Sequence, residues 1–283
     1  MVEKCILSVH AHPDDEASKG APTIAKYRSL GVRSVLVTCT GGEEGDILNP
    51  AMDTPEVRAN LAEVRKAELD KAAGLIGYDK VILLGYRDSG MPDSEANKHP
   101  EAFANADLDE AVAKLVAIIR EHRPQVILTY GDDQQGYPHP DHIRVHDISV
   151  PAFSLAGDPA YRPDLGDPFT PLKMYYSVWS QKRIRATHEK FVEMGLESPF
   201  GEDWFQRPNQ DDRVTTSIEM SEWFDIRLEA LLAHATQVDP DSAFWFGLPR
   251  EIARTVHPYE DYILGHSRVE TTFPETDLFA GIQ

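Results

Sequence analysis

Cysteine is nearly absent: Cys5 and Cys39 are the only two in 283 residues, and no Cys-x-x-Cys pair exists. That excludes a disulfide framework and a thiolate-built metal site, so any metal must be held by His and carboxylate. Both thiols lie in apolar stretches with no neighbouring His, and read as buried small hydrophobes rather than nucleophiles. Positive charge is also short, with 28 Lys and Arg against 47 Asp and Glu and a net charge of −19. Nucleic-acid backbones and anionic membrane surfaces are therefore disfavoured as partners, because both need clustered cations. Apolar runs stay well below the roughly 18 residues that a membrane-spanning helix requires. The start, Met1-Val2-Glu3-Lys4-Cys5, lacks the pattern of a secretory signal, and a cytoplasmic protein is the expectation. There is no G-x-G-x-x-G loop. Thr40-Gly41-Gly42-Glu43-Glu44-Gly45 resembles a phosphate loop only superficially, since Glu43, Glu44 and Asp46 would repel a phosphate.

What the chain does contain is alternation. Short β-rich runs at Cys5–Val9, Ser34–Cys39, Lys80–Leu84 and Gln125–Tyr130 are separated by helical patterns at about Glu16–Leu30, Pro55–Ile76 and Leu108–Arg120. Continuous apolar strands separated by helices predict a Rossmann-like three-layer α/β/α fold with a mainly parallel sheet. The strand order expected is 3-2-1-4-5. After residue 150 the pattern loosens: a strand is expected at Lys173–Val178, helices at Arg183–Met194 and Ser221–His234, and a late strand within Tyr259–Thr272. Gly157–Pro171 and Ser198–Arg213 read as loops. The expectation is a single domain over 1–283, in which 1–150 form the core and 151–283 an elaboration that completes the site.

In such a sheet the functional crevice lies beyond the carboxyl ends of the strands, where strand order reverses. The first strand runs into Val9-His10-Ala11-His12-Pro13-Asp14-Asp15-Glu16, and the fourth leads to Tyr137-Pro138-His139-Pro140-Asp141-His142. The predicted order makes these two strands neighbours, so the two clusters should face each other. A catalytic zinc site takes three His or carboxylate ligands and leaves one position open. His12, Asp15 and His142 are the expected ligands. Asp14 would stand beside the metal as a base, and His139 would be a supporting group oriented by Asp141. Each cluster has a plainer explanation as a helix cap, with Asp14 or Asp15 capping one helix and Asp141 the other. Two clusters at adjacent strand ends favour the metal. His146, four residues beyond His142, also has metal-pair spacing but reads as a surface helix residue.

His12-Pro13-Asp14-Asp15-Glu16 with His139-Pro140-Asp141-His142 resembles the LmbE/PIG-L family of zinc-dependent N-deacetylases, over nearly the whole chain. Gly42-Glu43-Glu44-Gly45, Arg87-Asp88-Ser89-Gly90 and His234-Ala235-Thr236-Gln237 are similar to its mycothiol branch, whereas Gly131–Gly136 departs from that pattern. The resemblance implies a hydrolase with one Zn²⁺ per chain, Fe²⁺ being an alternative that the same ligands accept. It implies a small pseudodisaccharide thiol conjugate as partner, with no nucleic acid and no membrane; homo-oligomerisation is left open. Two activities fit: cleavage of the amide of mycothiol S-conjugates, or deacetylation of N-acetylglucosaminyl-inositol. Ala17-Ser18-Lys19-Gly20, Gly45–Asp53 and the tail Asp277–Ile282 are similar to the first. Tyr137 is expected to stabilise the oxyanion, and Lys19, Asp46, Arg65, Asp88 and His234 to bind substrate. A metal-binding module without catalysis is the non-enzymatic alternative.

Overall fold

The computed structural model describes residues 3–283. Its strands are β1 (Cys5–His10), β2 (Arg33–Thr40), β3 (Lys80–Tyr86), β4 (Val126–Thr129), β5 (Lys173–Val178), β6 (Thr216–Glu219) and β7 (Tyr259–Ser267). They form one sheet in the order β3-β2-β1-β4-β5-β7-β6. The first five are parallel in the predicted order, and β7 and β6 extend the sheet antiparallel beyond β5. Every residue of β1 and β4 is buried, as central strands covered on both faces require. The edges are β3, in which only Leu84 is buried, and the four-residue β6. A short edge strand limits unwanted pairing. β6 escapes sequence reading because four residues show too little periodicity.

The helices are α1 (Asp15–Ser18), α2 (Ala21–Ser29), α3 (Pro55–Ala59), α4 (Leu61–Ile76), α5 (Leu108–His122), α6 (Pro140–Leu155), α7 (Gln181–Glu193), α8 (Glu202–Gln206), α9 (Phe224–Ala233), α10 (Ala243–Phe246) and α11 (Arg250–Val256). α5 and α6 pack a core on one face of the sheet, and α2, α4 and α9 pack one on the other. Three expectations need correction. The single helix from Glu16 to Leu30 is broken at Gly20, whose φ of +104° is left-handed, and α2 then starts with Pro22 in its first turn. The helix expected over Pro55–Ile76 is likewise divided at Asn60. The loop expected at Ser198–Arg213 contains α8, and the late strand ends at Ser267.

β1 pairs with β2 on one side and with β4 on the other, so strand order reverses between β1 and β4. The chain leaves the carboxyl ends of both into the two His/Asp clusters.

Candidate active site

His12, Asp15 and His142 come together at this switch point. Their donor atoms lie within 4.8 Å of one another, and a second group sharing His12 is formed with Asp88, His139 and Asp141. In the first group, Asp15 Oδ2 is 3.5 Å from both His12 Nδ1 and His142 Nε2. In the second, His12 Nε2 is 3.1 Å from Asp141 Oδ2 and 3.6 Å from Asp88 Oδ1. The second group is already internally satisfied. Asp141 accepts hydrogen bonds from the Ser89 hydroxyl and, at 3.0 Å, from the Ser89 N–H. Asp88 accepts from the Gly90 N–H at 2.8 Å. His139 Nδ1 accepts from the Asp141 N–H at 3.2 Å.

The donor chemistry of the first group fits a divalent cation. With Nε2 of His12 donating to Asp141, its Nδ1 is left facing Asp15 and His142. Such a carboxylate behind a ligating imidazole fixes its tautomer and orientation. Burial lowers the His142 imidazole to about 4, so it is neutral and its lone pair is available at pH 7. Burial works against ionisation of Asp15, but Lys19 and His142 overcome it and hold that carboxyl well below its usual range. His12 is also desolvated, yet its bonds to Asp141, Asp15 and Asp88 lift it well above the ordinary imidazole value.

Asp14 is set apart from this group by its backbone. Its φ of 114° is a left-handed conformation that costs a non-glycine residue on the order of 1–3 kcal/mol. Its side chain makes no capping bond, so the helix-cap explanation fails for it. Two buried groups hold it. Arg65 Nη2 lies 3.2 Å from Asp14 Oδ2 and also donates to the Pro13 carbonyl at 2.5 Å, while Nη1 reaches the Gly42 carbonyl. Glu16, fully buried, accepts the Asp14 N–H at 3.0 Å. Gly42 is required here, since a Cβ would collide with the Arg65 guanidinium and its φ is +71°. The Asp14 side chain is 31% exposed toward the cavity. Desolvation still raises its carboxyl above the usual range, against the opposing pull of Arg65.

Most of the expected site residues line one cavity of about 390 Å³: His12, Asp14, Asp15, Lys19, Asp46, Arg65, Asp88, Tyr137, His139 and His142. Asp46 is exposed at its rim, and Lys19 Nζ bonds Asp15 Oδ1 at 2.6 Å. Tyr137 leans over the histidines, 5.2 Å from His142 between ring centres. Burial and the nearby Asp15 raise its phenol, keeping it a donor at neutral pH. His139 rather than Asp141 caps α6, through its ring nitrogen.

Four expected roles change. Asp141 is fully buried and does not direct its carboxylate to His139; it orients His12 and bonds Ser89. Arg65 is buried and occupied by Asp14 and two carbonyls, so it positions the base instead of meeting substrate as a free cation. Asp88 is buried and engaged by His12 and Gly90. His234 is fully buried outside the cavity lining, with Nε2 2.6 Å from Glu16 Oε1. His146 faces the Tyr130 carbonyl at 3.1 Å, away from the cluster. Glu16, Ser89 and Gln237, which fall within the motifs quoted above, line or support the site without having been assigned a contact there, and Leu231 and Trp245, which line it, are marked by nothing in their local pattern.

Asp14 and the His12, Asp15 and His142 donor set thus stand together at the switch point of the α/β sheet, where the crevice of such a fold opens. The model of the PIG-L family (GlcNAc-PI de-N-acetylase) matches residues 7–153, and the chain belongs to that family. Among its relatives is the mycothiol S-conjugate amidase of Streptomyces coelicolor, 46% identical over 98% of this chain and 97% of that protein. Another is the 1D-myo-inositol 2-acetamido-2-deoxy-alpha-D-glucopyranoside deacetylase of Streptomyces avermitilis, 41% identical over 99% and 98%. The fold is shared with the N,N'-diacetylchitobiose deacetylase of Pyrococcus horikoshii, with a TM-score of 0.62 and 17% identity over 93% of this chain and 84% of that one. The chain is a hydrolase of the amidase and deacetylase class.

Proposed function

We propose that this protein hydrolyses the amide of mycothiol S-conjugates, releasing glucosaminyl-inositol and an S-substituted N-acetylcysteine. The observation that carries an amidase chemistry is Asp14, held in a strained conformation beside the His12, Asp15 and His142 donor set by the buried Arg65 and Glu16. His12, Asp15 and His142 would hold the metal, for which zinc is our choice and ferrous iron the alternative. Bound there, a divalent cation acidifies water and polarises the amide carbonyl.

The chain's own residues do the rest. Asp14 accepts the proton of the attacking water, and its raised carboxyl suits it to pass a proton on. Arg65 and Glu16 keep it aimed. Tyr137 donates to the oxygen that becomes anionic. The carbon–nitrogen bond then breaks: the acyl carbon keeps the new oxygen as a carboxylate, and the nitrogen leaves as an amine. Asp14 returns its proton to that nitrogen, and His139, which lines the same cavity, is the other available donor. Asp46 and Lys19 on the cavity wall bind sugar hydroxyls. We infer that residues 1–283 act as a single unit, with 151–283 completing the wall.

The 41% identity to a deacetylase supports a second activity, removal of acetate from N-acetylglucosaminyl-inositol. Turnover of a mycothiol S-conjugate and of that acetamide should be compared in one preparation, with chelator and zinc re-addition as controls. Faster cleavage of the conjugate is the expected result. A strong preference for the acetamide would replace our reading with the second one, and amide turnover indifferent to chelator would remove the metal from it.

A further inference from the structure

A second cavity, of about 360 Å³, opens beside the first and shares Ser18, Lys19, Tyr137, His142 and Trp245 with it. Its character is different. The first carries Asp14, Asp46 and Asp88, whereas the second is walled by Trp179, Trp204, Phe244 and Trp245. These rings are half-buried and line the cleft. Phe244 stacks on Trp179 at 5.6 Å with planes 7° apart, and Trp204 lies 5.4 Å from Phe244. Trp245 meets Phe244 edge-on at 4.7 Å and marks the boundary between the two cavities. The rings come from three separate places: the end of β5, α8 and α10. The Arg207 guanidinium covers Trp204 at 3.5 Å from the ring centre and stiffens the outer wall.

From this geometry we propose that the aromatic cleft is the subsite for a large apolar or aromatic substituent on the acyl side of the amide. This rests on the amidase reading. The scissile bond sits where the two cavities meet, at Tyr137 and His142, so its two halves extend in opposite directions. The polyhydroxylated amine half suits the acid-lined cavity. The acyl half enters the aromatic one, where an apolar group is buried against the packed rings of Trp179, Trp204, Phe244 and Trp245. An acetyl group would leave this cleft unfilled, whereas a thioether carrying a ring fills it. Size of the acyl group is thereby selected by stacking and burial, separately from the chemistry at Asp14.

The test uses zinc-loaded enzyme. Saturable quenching of tryptophan fluorescence by S-(2,4-dinitrophenyl)-N-acetylcysteine is expected, with S-methyl-N-acetylcysteine binding about tenfold more weakly or worse. Trp204→Ala and Phe244→Ala should each raise the dissociation constant of the dinitrophenyl acid about tenfold. In turnover, they should shrink the preference for S-benzyl over S-methyl conjugates through KM, with the smaller change in kcat. Phe244→Leu, which keeps apolar volume but loses the stack, repeats the test if the alanine variants fail to fold, and the wild-type affinity series needs no variant. Amide turnover without preference among substituents and without saturable quenching overturns the cleft while leaving the amidase reading intact. Displacement of the dinitrophenyl acid by glucosaminyl-inositol alone also overturns it, because the rings would then belong to the sugar. Saturable quenching without turnover of any amide supports the cleft and removes the amidase reading.

Discussion

Two adjacent aspartates, Asp14 and Asp15, are chemically identical and are given opposite duties by their surroundings. Asp15 has Lys19 and His142 against it and is held anionic. Asp14 is turned by its positive φ toward the cavity, where desolvation raises its carboxyl toward the range of a base that also gives protons back. Asp14→Ala should therefore lower kcat by about 10²–10⁴-fold while zinc stoichiometry, read by metal analysis, is unchanged. Near-normal turnover in that variant would remove it as the base. His142 and His146 offer a matched pair on one helix, four residues apart. His142→Ala should lose the metal on dialysis, and His146→Ala should keep it, since its ring bonds the Tyr130 carbonyl. Spacing alone made both plausible; the rise of about 6 Å along α6 between them carries His146 a turn away from the cluster.

At the scale of elements, the site depends on how the C-terminal strands are attached. Asp261 on β7 accepts the hydroxyls of Ser180 at 2.6 Å and Ser217 at 2.7 Å, and His257 at 2.9 Å, tying β7 to β6 and to the start of α7. Burial works against its charge, but His257 and the two serines overcome it and hold its carboxyl below the ordinary value of 3.8. A carboxyl lowered in the folded state adds stability that is full above its unfolded value and lost as pH falls through its folded value. Asp261→Asn should thus reduce stability at neutral pH and flatten the acid limb below about pH 4, with the two proteins converging at the lowest pH. Denaturant titrations at a series of pH values read this directly; a constant difference across the acid range would assign the loss to packing instead. The break between α1 and α2 belongs to the same scale. The turn at Gly20 redirects the chain into α2, while Lys19 and Asp15, four residues apart, meet across the turn of α1.

For the whole molecule, the last nine residues are locked to the middle of the sheet by a buried ion pair. Lys173 Nζ lies 2.5 Å from Glu275 Oε1, and the Tyr175 and Thr216 hydroxyls satisfy the other oxygen. Lys173→Met would leave that carboxylate buried without its cation, at a cost of about 3–5 kcal/mol. Adding Glu275→Leu should recover much of the loss, which equilibrium unfolding would show; equal losses in the single and double variants would deny the pair this role. The parallel five-strand core, its order and the facing His/Asp clusters were legible in the chain, because apolar runs and helical periods are local and the crevice of such a sheet follows from strand order. His12, Asp15, His142 and Asp14 could be named for that reason. What no local pattern carries is the partner of a side chain distant in sequence. Arg65 reads as a solvated helix residue and is buried on Asp14; Glu16 reads as a helix start and holds a strained backbone; His234 reads as a wall of the site and lies behind it on Glu16. β6 is defined only by its pairing with β7, and the ring-lined cleft only when segments from residues 179, 204 and 244 are brought together. Sequence by itself determined which residue types stand at the strand ends, since covalent neighbours supply them; tertiary packing decided which charges face each other, since those pairs join residues far apart in the chain, 51 positions for Arg65 and Asp14 and 218 for His234 and Glu16.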